Sequence, residues 1–366
     1  MNTRISSWLA LPLLLLTGCS GGGDDETAAV LYTGNDGSNT ISGFTIGTGG
    51  ALSPTSPTTF GSNNTEWLTV SSNGQLLYAS NRGSHTISGF TINGTTGVVT
   101  PIGTPIAVPG RNPSPRGITL TPNRQFLYVA NSATNTVAGF ALGAEGVLIS
   151  TAQGTIATGG TLARGIAVSP NGQFLYVANS GSNTISGFTI GGSGVLTAIG
   201  TASTGAGSSP EGLAISPNGA FLFAVYQGTD RVAAFAIGGG GSLTPAAPQQ
   251  SFATGIGGEG PQRVVISPNG SFLYVTNTAT NEVAAFTIGS GGQLTLINPN
   301  ASTGVSTAPM GITIDPTGQF LYVANSGTHE VGGYRIGVGG VLTATTPASF
   351  SVHPQIPVGI ATPGRP

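Results

Sequence analysis

Residues Gly165-Ile-Ala-Val-Ser-Pro-Asn-Gly-Gln-Phe-Leu-Tyr-Val-Ala-Asn179, followed by Ser180-Gly-Ser-Asn-Thr-Ile-Ser-Gly-Phe188 and Gly194-Val-Leu-Thr197, form one unit of a pattern that repeats along the chain. The aromatic of the Leu-Tyr-Val element falls at Tyr32, Tyr78, Tyr128, Tyr176, Phe223, Tyr274 and Tyr322, with gaps of 46, 50, 48, 47, 51 and 48 residues. A second aromatic keeps the same rhythm at Phe44, Phe90, Phe140, Phe188, Phe235, Phe286 and Tyr334. Seven units of this length indicate a solenoid or a propeller. Within each unit, Gly-Ile-Ala-Val reads as a first strand and Asn-Gly as a favoured hairpin turn. Phe-Leu-Tyr-Val-Ala reads as a second strand, Thr-Ile-Ser-Gly-Phe-Thr-Ile as a third, and Val-Leu-Thr as the start of a fourth. Four short antiparallel strands per repeat describe a propeller blade. No 3.6-residue apolar pattern is sustained, so helix is expected to be nearly absent.

The ends decide the closure. The first unit begins at Val30-Leu31-Tyr32 without its innermost strand, and Pro357-Val358-Gly359-Ile360-Ala361-Thr362 supplies a matching one at the far terminus. The expected fold is therefore all-β: a seven-bladed propeller over residues 30–366, its first blade completed by the C-terminal strand. Such closure leaves no spare edge strand.

Composition narrows the function classes. Only 22 of 366 residues are charged and the net charge is −2, against roughly 25% charged residues in an average domain. All ten basic residues are arginines. No basic field exists to gather phosphates, which excludes nucleic acid as a partner. Hydrophobic residues make up 38% of the chain, too many for intrinsic disorder. The 61 glycines fall at blade turns, not in a collagen period or a phosphate-cradling loop. No His/Cys cluster suits zinc and no aspartate-rich loop suits calcium. Glu66 and Glu211 with backbone carbonyls are the one oxygen set for a single calcium. No metal or cofactor is expected.

The first residues read as an address. Arg4 precedes the apolar stretch Ile5 to Leu16, which falls short of the ~20 residues that span a bilayer but suits a signal-peptide core. Leu16-Thr17-Gly18-Cys19 resembles the lipobox of bacterial lipoproteins, in which the cysteine is lipidated and becomes the new N-terminus. Cys19 is the only cysteine, so no disulfide is available. The expected organisation is a signal peptide over 1–18, a flexible tether over 19–29, and then the propeller. The chain is expected to be exported and held at the cell envelope by its lipid anchor alone. Ser20 in place of an aspartate after the cysteine tilts the expectation toward the outer membrane.

The Ser-Pro-Asn-Gly-x-Phe-Leu-Tyr-Val-Ala-Asn pattern, with Gly-Phe and Gly-x-Leu-Thr following, resembles the lactonase-type seven-bladed propellers. That family includes a bacterial 6-phosphogluconolactonase and fungal muconate-lactonising enzymes. The pattern is also similar to the Tyr-Val-Thr-Asn repeats of cell-surface propellers, which Tyr274-Val275-Thr276-Asn277 matches literally. The resemblance covers residues 30–363 and implies a lactone hydrolase or a surface-binding module. Its motifs are structural and leave the chemistry to the site.

Aligning the units on Asn-Gly places one residue per blade immediately before the inner strand. These are Glu66, Arg116, Arg164, Glu211, Gln262, Met310 and Val358. Four charges at equivalent positions are a concentration in so uncharged a chain. Arg116 and Arg164 are expected to hold a carboxylate or a developing oxyanion, and either Glu66 or Glu211 to activate water. The alternative is two Glu–Arg pairs neutralising each other around the channel. Tyr226, standing where six units have asparagine, is a further candidate to line the mouth, and His353, in the final inter-blade loop on the same face, a candidate acid or base. His85 and His329 take a loop slot held elsewhere by Asn39, Asn135, Asn183, Asp230 and Asn281, so turn capping is their expected role. The expected partner is a small anionic or lactone ligand if the protein is a hydrolase, or an envelope protein or glycan if it only binds.

Overall fold

The computed structural model describes residues 29–363 except 37, 62–63, 247–250, 256–259, 303–306 and 353–355. The leader, Cys19 and His353 lie outside the described residues. Seven antiparallel sheets follow one another around a ring. Their innermost strands are Thr65–Val70, Pro115–Leu120, Ala163–Val168, Pro210–Ile215, Pro261–Ile266, Pro309–Ile314 and Ile356–Ala361. The last of these pairs with Val30–Asp36, so the C-terminus completes blade 1. Blades 2 to 7 follow in chain order. Five sheets have four strands. In blades 2 and 5 the outermost strand is split in two, which gives five. Among the described residues the only helical pieces are three short 3₁₀ turns, at Thr48–Gly50, Ala144–Gly146 and Val338–Gly340.

Each blade buries its face against the next. Phe174, Tyr176 and Ala178 of blade 4 pack on Leu213, Leu222 and Ala224 of blade 5. The same contact closes the ring, with Phe320, Tyr322 and Val331 of blade 7 against Leu31, Phe44 and Ile360 of blade 1. The second-strand tyrosines also carry a polar bond. Tyr78, Tyr128 and Tyr176 donate their hydroxyls to the carbonyls of Gly146, Gly194 and Gly241 in the neighbouring blade, at 2.6, 2.9 and 2.8 Å. Apolar burial thus sets the stacking and a recurrent hydrogen bond fixes its register.

The Asn-Gly turn differs in detail from a two-residue hairpin. Gly172 donates to Ser169 O and Ser169 donates back to Phe174 O, which makes a four-residue loop. Pro170 pre-sets the turn, Asn171 and Ser169 bond through their side chains at 2.6 Å, and Gly172 alone takes a positive φ, of 71°.

Candidate active site at the channel mouth

Every inner strand carries a β-bulge near its first residue. In blade 4, Ala163 pairs with Asn179 and Ile166 with Val177, so Arg164 and Gly165 fill the space of one residue. The same shift occurs at Glu66, Arg116, Glu211, Gln262, Met310 and Val358. A bulge re-aims the side chain of its extra residue. The aligned positions therefore leave the ladder together at one end of the channel.

Of the aligned residues, the structure brings the four charged ones into two pairs, each crossing between neighbouring blades. Arg116 Nη1 lies 2.5 Å from Glu66 Oε1, and Arg164 Nη1 lies 3.1 Å from Glu211 Oε1. Arg82, from the loop after the second strand of blade 2, reaches Glu66 Oε2 at 3.4 Å. The two carboxylates are thereby distinguished. Glu66 sits between two guanidiniums, whereas Glu211 is 1% exposed. Burial pushes the Glu211 carboxyl above the usual carboxylate range, against the pull of Arg164, Arg263 and Arg116.

Two residues of the mouth escaped the sequence reading. The position after each aligned residue is glycine in five blades, at Gly117, Gly165, Gly212, Gly311 and Gly359. Neighbouring inner strands approach so closely there that a Cβ on Gly165 would run into the carbonyl oxygen of Glu211. Blades 2 and 6 depart from this column with Trp67 and Arg263. The Arg263 guanidinium carbon stands 3.8 Å from the centre of the Trp67 ring. Because these blades are not adjacent in the ring of inner strands, the contact crosses the channel. The missing signal was the break in the glycine column.

The mouth is cationic inside an anionic chain. Among the described residues, the carboxylates that pair with or attract Arg82, Arg116, Arg164 and Arg263 are Glu66 and Glu211. Among the described residues Arg263 makes no ion pair, and its Nη1 donates to the carbonyl of Gln262 at 3.3 Å. Burial lowers its pKa to about 10, although Glu211 and Glu66 favour the charge. Burial likewise lowers that of Arg116, with Glu66 opposing. Among the described residues, Arg116 Nε and Arg164 Nε are buried without a hydrogen-bond partner. Buried donors normally find acceptors, so the arrangement suits an anion or a polarised carbonyl.

The remaining candidates divide between the ring and the blades around it. Gln262 continues the ring on blade 6 and gives its carbonyl to Arg263. Tyr226 is 5% exposed and belongs to the core between blades 4 and 5. His85 accepts a bond from the Ser114 backbone amide at 3.3 Å, as Asn135 does from Leu162 and Asn183 from Ser209. All three adopt positive φ, at 58°, 55° and 56°, and tie one blade's loop to the next blade's inner strand. His329 shares that conformation, with φ 60°. At the opposite end of the channel a cavity of about 610 Å³ is lined by Pro122, Pro170, Pro217, Pro268, Pro316 and Pro363. Its one carboxylate, Asp315, is occupied by the amides of Phe320 and Thr317 at 2.7 and 3.1 Å. Among the described residues no three His, Cys, Asp or Glu side chains converge on a metal position.

A family model described as "Lactonase, 7-bladed beta-propeller" matches residues 25–114, 111–251 and 238–354. No curated protein matches significantly. Among solved structures, the fold is similar to a Bacteroides uniformis protein provisionally described as a 6-phosphogluconolactonase, at TM-score 0.80 and 21% identity, covering 92% of this chain and 99% of that one. It is similar to a periplasmic gluconolactonase of Pseudomonas aeruginosa, at TM-score 0.79 and 20% identity, with 92% and 99% coverage. A virginiamycin B lyase of Staphylococcus aureus follows at TM-score 0.59 and 16% identity, with 81% and 88% coverage. At these identities the likeness shows the fold, on which different chemistries are built.

Proposed function

Because the chain belongs to the lactonase family of seven-bladed β-propellers, we propose that it hydrolyses a small, sugar-derived lactone at the charged mouth. The observation that carries this reading is the surplus of cationic donors: four guanidiniums against two carboxylates, with Arg116 Nε and Arg164 Nε unpartnered. The gluconolactonase-like neighbours agree with it.

Water adds to the ring carbonyl while Glu211 takes one of its protons, and Arg116 and Arg164 stabilise the oxyanion that forms. Collapse of the tetrahedral intermediate breaks the ring C–O bond, and the departing ring oxygen receives the proton from Glu211. The open hydroxy-acid then releases its remaining proton to solvent, and the same arginines hold the carboxylate charge. Glu211 suits the role of base, because burial raises its proton affinity above that of an ordinary carboxylate. Glu66, gripped by Arg82 and Arg116, orients Arg116. Delivery to the envelope through lipidated Cys19 belongs to the same proposal and rests on the Leu-Thr-Gly-Cys sequence.

A second reading, a binding module without turnover, is favoured by the direct pairing of Arg164 with Glu211, which occupies the proposed base. A panel of lactones offered to the parent and to Glu66→Ala and Glu211→Ala variants separates the two. Hydrolysis above the buffer rate that vanishes in Glu211→Ala supports the enzyme. Ligand binding without hydrolysis supports the module.

A further inference from the structure

We infer that Trp67 is a positioning residue: stacked on Arg263 across the channel, it holds that guanidinium free of the carboxylates and directs it at the anionic end of a bound ligand. The inference rests on the proposed reading of the mouth, and adds to it the floor on which the ligand sits.

Three observations carry it. First, Trp67 and Arg263 are the two departures from the column of glycines, and each meets the other. A chance substitution in one blade would have no partner waiting three blades away. Second, Arg263 feels the attraction of Glu211 and Glu66 yet pairs with neither. An arginine side chain is long and rotamer-rich, so something must keep it from folding onto a carboxylate. The indole face does this by a cation–π contact. Third, the stack lies one residue below the charged ring and spans the channel between opposite blades. The proline-lined cavity, at the other end of the channel, contains neither residue. A ligand entering the ring meets three guanidiniums, from Arg116, Arg164 and Arg263, and a flat floor.

The chain contains two tryptophans, Trp8 and Trp67. In the full chain carrying Trp8→Phe, Trp67 is therefore the sole reporter of its own site. Gluconate, a hydroxy-carboxylate of the proposed product class, is titrated into this protein and followed by calorimetry and tryptophan emission. The same titration by calorimetry is repeated on Trp67→Gly, Trp67→Phe, Trp67→Leu, Arg263→Gln and the double variant Trp67→Gly/Arg263→Gln. Trp67→Gly restores the residue that five blades already have. Trp67→Leu keeps apolar bulk without a π face, so a folding defect and a lost stack are told apart.

Expected are a change of Trp67 emission at saturation and a loss of affinity of about tenfold in Trp67→Gly, Trp67→Leu and Arg263→Gln. Retention within about threefold is expected in Trp67→Phe. The double variant should lose no more than either single one, as coupled residues do. Equal affinity in Trp67→Gly and parent, or losses that simply add, would overturn the inference while leaving lactone hydrolysis standing. If gluconate fails to bind the parent, sulfate replaces it as the oxyanion probe. Sulfate binding that depends on Trp67 keeps the stack and removes the lactone reading. Binding of neither anion, or binding indifferent to Trp67, overturns the inference.

Discussion

The hydroxyl of Tyr322 donates to the carbonyl of Gly50 at 3.0 Å, joining residues 272 apart in the chain. It is the same bond that Tyr128 makes to Gly194 one blade along, now drawn between the last blade and the first. The ring therefore closes by the rule that stacks its interior blades. It is fastened a second time by Ile356–Ala361 pairing with Val30–Asp36.

Deleting residues 356–366 removes that second fastening and strips blade 1 of its inner strand. Ile360 and Ala361 are buried, so an apolar face and a strand edge are exposed together. The melting midpoint should fall by roughly 10 °C or more, at about 2–4 °C per kcal/mol lost. A truncated protein that melts with the parent would disprove this closure.

Blade 5 has Phe223 where six blades have tyrosine, and Gly292 occupies the equivalent hairpin of blade 6. Phe223→Tyr should add the missing inter-blade bond and stabilise the protein by about 0.5–1.5 kcal/mol in denaturant titration. Tyr128→Phe should cost about 1 kcal/mol or more, because it leaves a buried carbonyl without its donor.

Arg116→Gln and Arg164→Gln should each weaken binding of an aldonate such as gluconate by about 1.5–3 kcal/mol, the worth of a hydrogen bond to a charged group. Calorimetry on each variant reads it. Variants that lose stability but bind as tightly as the parent would make both ion pairs structural.

Much of this was legible in the sequence because the signals were local and repeated. Blade number, strand order and closure follow from aromatic spacing and from the strand displaced to residues 357–362. The aligned ring was legible for the same reason, since a single register position recurs in every blade. What escaped depended on the closed circle. Trp67 and Arg263 are 196 residues apart and meet only because the ring sets blades 2 and 6 across the channel. Glu66 and Glu211 are equivalent in register, and only burial and the reach of Arg82 distinguish them. The tyrosine hydroxyl bonds also depend on the ring, since each acceptor carbonyl belongs to the neighbouring blade.

The proposed anchor is tested by the mass of the protein recovered from membranes. A chain beginning at Cys19 with a diacylglyceryl adduct is expected, and Cys19→Ala should abolish it. Unmodified, uncleaved protein would count against export by this route.

The central claim is that Glu211 is the base of a lactone hydrolase, and the pH dependence of kcat/KM tests it most directly. Because burial raises the Glu211 pKa, the folded protein holds that proton more tightly than the unfolded chain. Its contribution to stability is present at acid pH and is lost as pH rises through the folded value, while base catalysis appears over the same interval. An acid limb above the ~4.3 of an ordinary glutamate is expected. A loss of about 10²-fold or more is expected in Glu211→Gln, together with loss of that limb. Hydrolysis by Glu211→Gln at the parent's rate, with the same acid limb, would contradict the claim.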